Sequence, residues 1–376
     1  MFELVRDYID NTIIGKKKIP YLDVLVKKDG NVIFRHYNNL KGNATGKEKL
    51  FLFSCSKIIT SVVVLRLVDK GLISLDDEVS KYIPEFKNAY ILNEGVKIKP
   101  NTNTTIRHLL SMQSGIPYKF TSIYIKELFN NRPNATAYDL ANEIIKSPIL
   151  FNPGENHIYG LSYDVLGGVI EKATGKRLKD HVEEDIFKPL EMKNSTFGYT
   201  DAVDFEPLYT VPNDKIVPFD LNQLEKWANY PTLDGAGGGL KSTVEDFSIF
   251  VDALTNNGIA KNGFVLLNQK MLNLIKTETT ELIKQKENYF TCIQGTDDYG
   301  YTMGLRIRKT NTPWGLKSLH EFGWDGAAGS YCLIDDLNNI SVTIGMHVRN
   351  WPTVFTGEHL NIVKLIYEEL GIKNNT

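Results

Sequence analysis

Residues 51–70 read FLFSCSKIITSVVVLRLVDK, and within them Ser54 and Lys57 open a long apolar run. Such a run predicts a helix, where a spacing of three puts both side chains on one face, one turn apart. Ser54 then falls in the first turn, where free backbone N–H groups and the positive end of the helix dipole favour developing negative charge. Lys57 is expected to pack among Ile58, Ile59, Ser61 and Val62. An ammonium withdrawn from water loses proton affinity, which brings the neutral amine within reach near pH 7. A neutral amine beside a hydroxyl is a nucleophile with its base. On an ordinary surface helix the same pair would be a capping serine and an outward lysine, so what surrounds it decides.

The chain has 376 residues, 42% hydrophobic and 23% charged, enough for one large domain or two intermingled ones around a sizeable core. A formal net charge of -2 gives no footprint for nucleic acid or an anionic membrane, and the short basic run Lys16 to Lys18 reads as a solvated turn. A small-molecule or peptide substrate is therefore expected. Cys55, Cys292 and Cys332 are an odd number without paired spacing, which predicts neither a disulfide framework nor a zinc site. Cys55 points about 100° away from Ser54 around a helix and reads as core packing. The first twenty residues mix acidic with apolar side chains and do not read as a signal peptide, and no stretch approaches the roughly 20 apolar residues of a membrane span. A cytoplasmic protein is expected.

Working outward, residues 2–15 carry Phe2, Leu4, Val5, Tyr8, Ile9 and Ile13 near helical spacing. Tyr21 to Lys27 alternates Leu22, Val24 and Val26 with Asp23, Leu25 and Lys27; Asp29-Gly30 supplies a turn and Val32 to Tyr37 returns as a hairpin. After the Ser54 helix, Gly71 is the expected stop. Helices are expected over 105–117, 136–147 and 162–174, with few strand signals before about residue 230. GAGGGLKST at 235–243 fits no phosphate-loop pattern; it reads as a glycine turn allowing close backbone approach, then a capping box Ser242-x-x-Glu245 opening a helix through Leu254. Strands are expected over Tyr301 to Arg308, His320 to Asp335 and Ile340 to Val348, separated by turns such as NTPWG, and a last helix over about 356–370. The fold class is thus α/β (α+β): an antiparallel sheet flanked by helices, built from both termini (1–85 and 235–376), with a mainly helical domain (86–234) inserted.

Stretch 51–86, ending VDKGLISLDDEVSKYIPEF, resembles the serine β-lactamase and penicillin-binding-protein superfamily in its class C-like and esterase branch, whose first motif is Ser-x-x-Lys. Three further stretches carry the resemblance. TIRHLLSMQSGIP (105–117) matches a family segment, with Met112 in place of the usual histidine. FNPGENHIYGLSYDVLGGVIEKATGK (151–176) resembles the second motif, Tyr-x-Asn, which puts Tyr159 at its tyrosine and Leu161 where the asparagine would be. FGWDGAAGS (322–330) resembles the third, with Trp324-Asp325-Gly326 as the triplet on an edge strand bordering the pocket.

The resemblance implies that Ser54 is the acylated nucleophile, Lys57 its base and Tyr159 the proton shuttle, and that the backbone amides of Ser54 and Ala327 form the oxyanion hole. Leu161, Trp324, Asp325 and Gly326 are the implied substrate-binding residues. Two departures favour small carboxylic esters over β-lactams. An apolar Leu161 leaves the acylamido group of a β-lactam without an amide partner, and an indole at Trp324 replaces the cation that meets its carboxylate. β-Lactamase, D-amino-acid peptidase or transesterase chemistry, and a penicilloyl-binding sensor that never deacylates, remain the alternatives. A histidine triad lacks its G-x-S-x-G elbow, with His320 and His347 reading as structural, and a metallohydrolase lacks H-x-x-x-H or H-x-H spacing. No metal or cofactor is implied. The expected partner is a small ester, amide or lactam; the natural acyl and leaving groups and the oligomeric state stay open.

Overall fold

A computed structural model describes residues 2–16, 19–200, 205–221, 224, 230–277, 279, 299–308, 321–351 and 354–372. Cys292, His320, Lys17, Lys18 and the expected turn at 311–315 lie outside the described residues.

Seven strands form one antiparallel sheet in the order 299–301, 306–308, 322–325, 331–335, 340–345, 21–28, 31–39. The amino-terminal hairpin joins the carboxy-terminal strands through Tyr21–Lys28, which pairs with Ile340–Gly345 from Asp23↔Gly345 to Lys28↔Ile340. The sheet is therefore built from both ends of the chain. Alternation along each strand sends side chains to opposite faces. Leu22, Val24 and Val26 enter one core with Tyr331, Leu333 and Ile344, while Tyr21, Leu25, Cys332 and Ile334 enter the other. The first core is covered by the opening helix (Glu3–Asp7, continued as a π-helix over Tyr8–Ile14) and by His359–Glu369. The second packs against Ser56–Asp69 and Val244–Thr255. Both sheet faces are thus buried, and Asp23 is buried with them and held by Arg35 at 3.1 Å.

Three expectations shift. Trp324 is not on an edge strand, because Phe322–Asp325 lies between Arg306–Arg308 and Tyr331–Asp335. The cap of the helix at 244 is Thr243, whose hydroxyl accepts from the Asp246 N–H at 3.1 Å; Ser242 ends a strand and bonds Ser195. The Ser54 run is not all helix: Leu50–Phe53 is a strand, pairing with Leu240–Ser242 in a second, three-stranded sheet. The aromatic Phe51 and Phe53 favour a strand, and a helix-length apolar run concealed that break. The helix beyond it is buried almost all round, as a core helix of a large domain must be. Among the described residues, no helix is long and apolar enough to cross a membrane.

Candidate active site

Ser54 sits at the junction of strand Leu50–Phe53 and helix Ser56–Asp69, one residue before the helix N-cap at Cys55. The turn is tight. Phe53 has φ +44°, a left-handed conformation that a bulky residue adopts only where its surroundings enforce it. Two contacts do so: the Ser56 hydroxyl donates to the Phe53 carbonyl (2.5 Å) and accepts from the Leu240 N–H (2.8 Å), tying the turn to the neighbouring strand. The Ser54 carbonyl then accepts from the Lys57 N–H at 3.1 Å, which fixes the three-residue offset between the two side chains.

Lys57 is 2% exposed. Its Nζ donates to Ser54 Oγ (3.2 Å) and to the Gly237 carbonyl (2.7 Å), and lies 4.8 Å from the Tyr159 ring centroid. The Tyr159 hydroxyl donates to Ser54 Oγ at 2.8 Å. One serine oxygen is therefore held by an amine and a phenol from two separate elements, 105 residues apart in the chain for the phenol. Tyr159 is itself clamped, with Trp324 stacked on it (5.7 Å between centroids, 25°) and Tyr118 also stacked (6.1 Å, 14°). Met112, at φ +57°, accepts from the Ile158 N–H (3.0 Å) and so positions the segment leading into Tyr159.

These groups open into a cavity of about 300 Å³ lined by Phe53, Ser54, Lys57, Tyr118, Phe120, Tyr159, Asp164, Gly237, Gly238, Ala327 and Arg349. Leu161, Trp324, Asp325 and Gly326 are not among those lining residues. Leu161 is the buried N-cap of helix Ser162–Thr174 and faces the core. Trp324 stands behind Tyr159, edge-on to Tyr301 (5.2 Å, 86°). Asp325 pairs with the fully buried Arg306 (3.2 Å) and with His359 (3.4 Å). Gly326 is a glycine because a Cβ there would meet Ser330 Oγ at 2.0 Å and the Leu52 carbonyl at 2.2 Å. What comes close to it is the strand that leads into Ser54.

The family model for Beta-lactamase matches residues 4–364. The chain belongs to the Beta-lactamase family. Protein flp of Staphylococcus aureus strain MW2 is 32% identical over 205 residues, covering 51% of this chain and 39% of that protein, so the match spans well under half of the relative's length. The N-acetylmuramyl-L-alanine amidase of Bacillus subtilis strain 168 is 24% identical over 324 residues, 81% of this chain and 68% of the relative. Among solved structures, EstCE1, a hydrolase with promiscuous acyltransferase activity, superposes with a TM-score of 0.78 at 21% identity over 96% of this chain and 97% of its own. The unliganded, selenomethionyl simvastatin synthase LovD of Aspergillus terreus gives 0.79 at 17% identity, covering 97% and 98%. At these identities the structural likeness is one of fold. That fold, the β-lactamase/transpeptidase-like arrangement, is the α/β class expected from the sequence.

Several residues of this Beta-lactamase-family cavity escape the sequence reading. Gly237, foreseen only as part of a close-approach turn, supplies the carbonyl that orients Lys57. Tyr118 and Phe120 form an aromatic wall, edge to face at 5.5 Å, directly after the Gly115-Ile-Pro117 break that could have marked them as a loop turning over the site. Arg349 lies between His347 and Asn350, both at φ +59°, with its guanidinium over Phe219 (4.9 Å) and Phe53 (5.4 Å). No local pattern announces that kink. His347 is buried; its Nε2 accepts from the Phe51 N–H at 3.0 Å, and burial pulls its pKa down to about 4, so it is a neutral structural histidine. Asp164, on the helix after Tyr159, is buried, and that burial lifts its pKa to about 6 while the nearby Lys57 charge opposes the rise.

Proposed function

We propose that this protein is a serine hydrolase that forms an acyl-enzyme at Ser54, acting on small carboxylic esters. The observation that carries the proposal is the pair of hydrogen bonds converging on Ser54 Oγ, from Lys57 Nζ and the Tyr159 hydroxyl, at the floor of a cavity. In this reading the hydroxyl proton of Ser54 passes to Lys57, directly or through Tyr159, as Oγ bonds to the ester carbonyl carbon. The carbonyl oxygen becomes an oxyanion received by the backbone amides of Ser54 and Ala327, two residues that line the cavity. Tyr159 returns the proton to the departing alcohol, and water then hydrolyses the acyl-enzyme by the reverse proton path.

The substrate preference needs a narrower argument than the sequence offers. Trp324 does not face the cavity, and a cation does, because Arg349 lines it. The loss of a charge partner therefore no longer counts against β-lactams. What supports esters is that no described lining residue carries a side-chain amide, together with the apolar wall of Phe53, Tyr118 and Phe120. An acylamido group entering this cavity meets no side-chain amide, and if the contact an amide would make stays unmade the cost is about 1–3 kcal/mol, roughly one to two orders of magnitude in kcat/KM.

A panel of p-nitrophenyl esters, a chromogenic cephalosporin and D-Ala peptides tests this directly. Short-chain esters are expected to give the highest kcat/KM, with turnover and phosphonate labelling both lost in Ser54→Ala. A cephalosporin above every ester moves the assignment to β-lactamase, and D-Ala peptides above both move it to peptidase or transesterase. A burst ending at one equivalent marks the sensor instead.

A further inference from the structure

The Lys57 ammonium that forms during acylation needs a counter-charge in a site from which water is largely withdrawn. The cavity provides one. Asp164 stands on helix Ser162–Thr174, five residues beyond Tyr159, and its side chain lines the same cavity as Ser54 and Lys57. Gly237 adjoins both groups: the point where a Cβ would sit on it is 3.2 Å from Lys57 Nζ and 3.4 Å from Asp164 Oδ2. A side chain there would crowd both.

We propose that Asp164 is a positioning residue for acylation, its carboxylate being the counter-charge that stabilises Lys57 once that amine has taken the proton from Ser54. The inference rests on the proposed nucleophile and base. The proton stays on Lys57 and no bond to Asp164 forms, so the carboxylate acts through charge alone. The other titratable groups around Asp164 do not duplicate this role. The Tyr163 hydroxyl is engaged by Ser61 (2.7 Å) and the Leu110 carbonyl (3.1 Å), and the Tyr159 hydroxyl is on Ser54. Asp234, which lines a small adjoining space with Asp164, is held by Arg177 and the Lys179 N–H. Burial raises the Asp164 pKa and the Lys57 charge lowers it, so the two groups act on each other's protonation.

The test follows the pH dependence of Ser54 phosphonylation, which needs no knowledge of the natural substrate. An anion beside an amine raises its proton affinity by about one pH unit or more. Asp164→Asn should therefore move the acid limb of labelling to lower pH by that amount while reducing the plateau, and Asp164→Glu should restore both. A limb in folded Asp164→Asn that coincides with wild type overturns the inference. The coupling is reciprocal, so a second measurement is available if that variant fails to fold. In Lys57→Met the infrared carbonyl band of the protonated Asp164 acid should persist to higher pH than in wild type, and an unchanged band overturns the inference equally. Absence of any labelling at Ser54 in wild type is a different outcome, since it removes the hydrolase reading on which the inference stands.

Discussion

Two segments meet behind Ser54, and they contribute opposite kinds of residue. Phe53 to Lys57 brings side-chain chemistry: a hydroxyl, a buried amine and a strained backbone that aims them. Trp324 to Ser330 brings scaffold: an indole bracing Tyr159, a carboxylate locked to Arg306, a glycine where two strands touch, and Ser330 Oγ donating to the Leu52 carbonyl at 2.8 Å. Motif resemblance treats both alike as pocket residues. The contacts divide them, and substitutions on the two sides should fail in different ways.

The largest effect belongs to the chemical side. Lys57→Ala or Tyr159→Phe should lower kcat by roughly 10²- to 10⁴-fold, the scale of positioned acid–base catalysis, with the melting temperature of Tyr159→Phe close to wild type. Because amine and phenol share one serine oxygen, their losses should not multiply in the double variant, and a pKa fitted to the kinetics belongs to the pair. A Tyr159→Phe enzyme of normal rate would remove the phenol from the mechanism and leave Lys57 as sole base.

On the scaffold side the damage should appear first in stability. Asp325→Asn replaces the carboxylate facing the fully buried Arg306, and losing a charge-assisted hydrogen bond of this kind costs about 1.5–3 kcal/mol. Urea denaturation should read that loss, while folded Asp325→Asn phosphonylates Ser54 at near the wild-type rate. A normal urea midpoint with a large rise in KM would restore Asp325 to the substrate.

The same division explains what could be read from the chain alone. Ser54, Lys57 and the hairpin from Tyr21 were legible because the relevant relations are local: three residues for the pair, two for alternation along a strand. That Tyr159 lies beside Ser54 is foreseen by resemblance alone. The contacts of Asp325 and Gly326 were not, because Arg306 is 19 residues away and the Leu52 carbonyl belongs to a strand concealed inside an apolar run. Arg349 depends on left-handed backbone at His347 and Asn350, non-glycine positions where no sequence rule anticipates it. Asp164 belongs to no local pattern, and only the fold brings it beside Gly237 and Lys57.

The smallest effect separates brace from wall at Trp324. The indole is stacked on Tyr159 and meets Tyr301 edge-on, and such aromatic pairs contribute about 0.5–1.5 kcal/mol beyond buried area. If that contact serves to hold the Tyr159 hydroxyl on Ser54, Trp324→Leu should lower kcat by up to about tenfold, the rate equivalent of that energy. KM should stay unchanged across esters of increasing acyl length, because the side chain touches the phenol rather than the acyl group. Phosphonylation of Ser54 should slow by the same factor as kcat, since both use the phenol. A substrate wall behaves otherwise: its loss raises KM by an amount that grows with each acyl methylene and leaves the reaction of a small phosphonate untouched. A chain-length series in wild type and Trp324→Leu therefore decides between the two, and a KM that climbs with chain length would return the indole to the cavity surface.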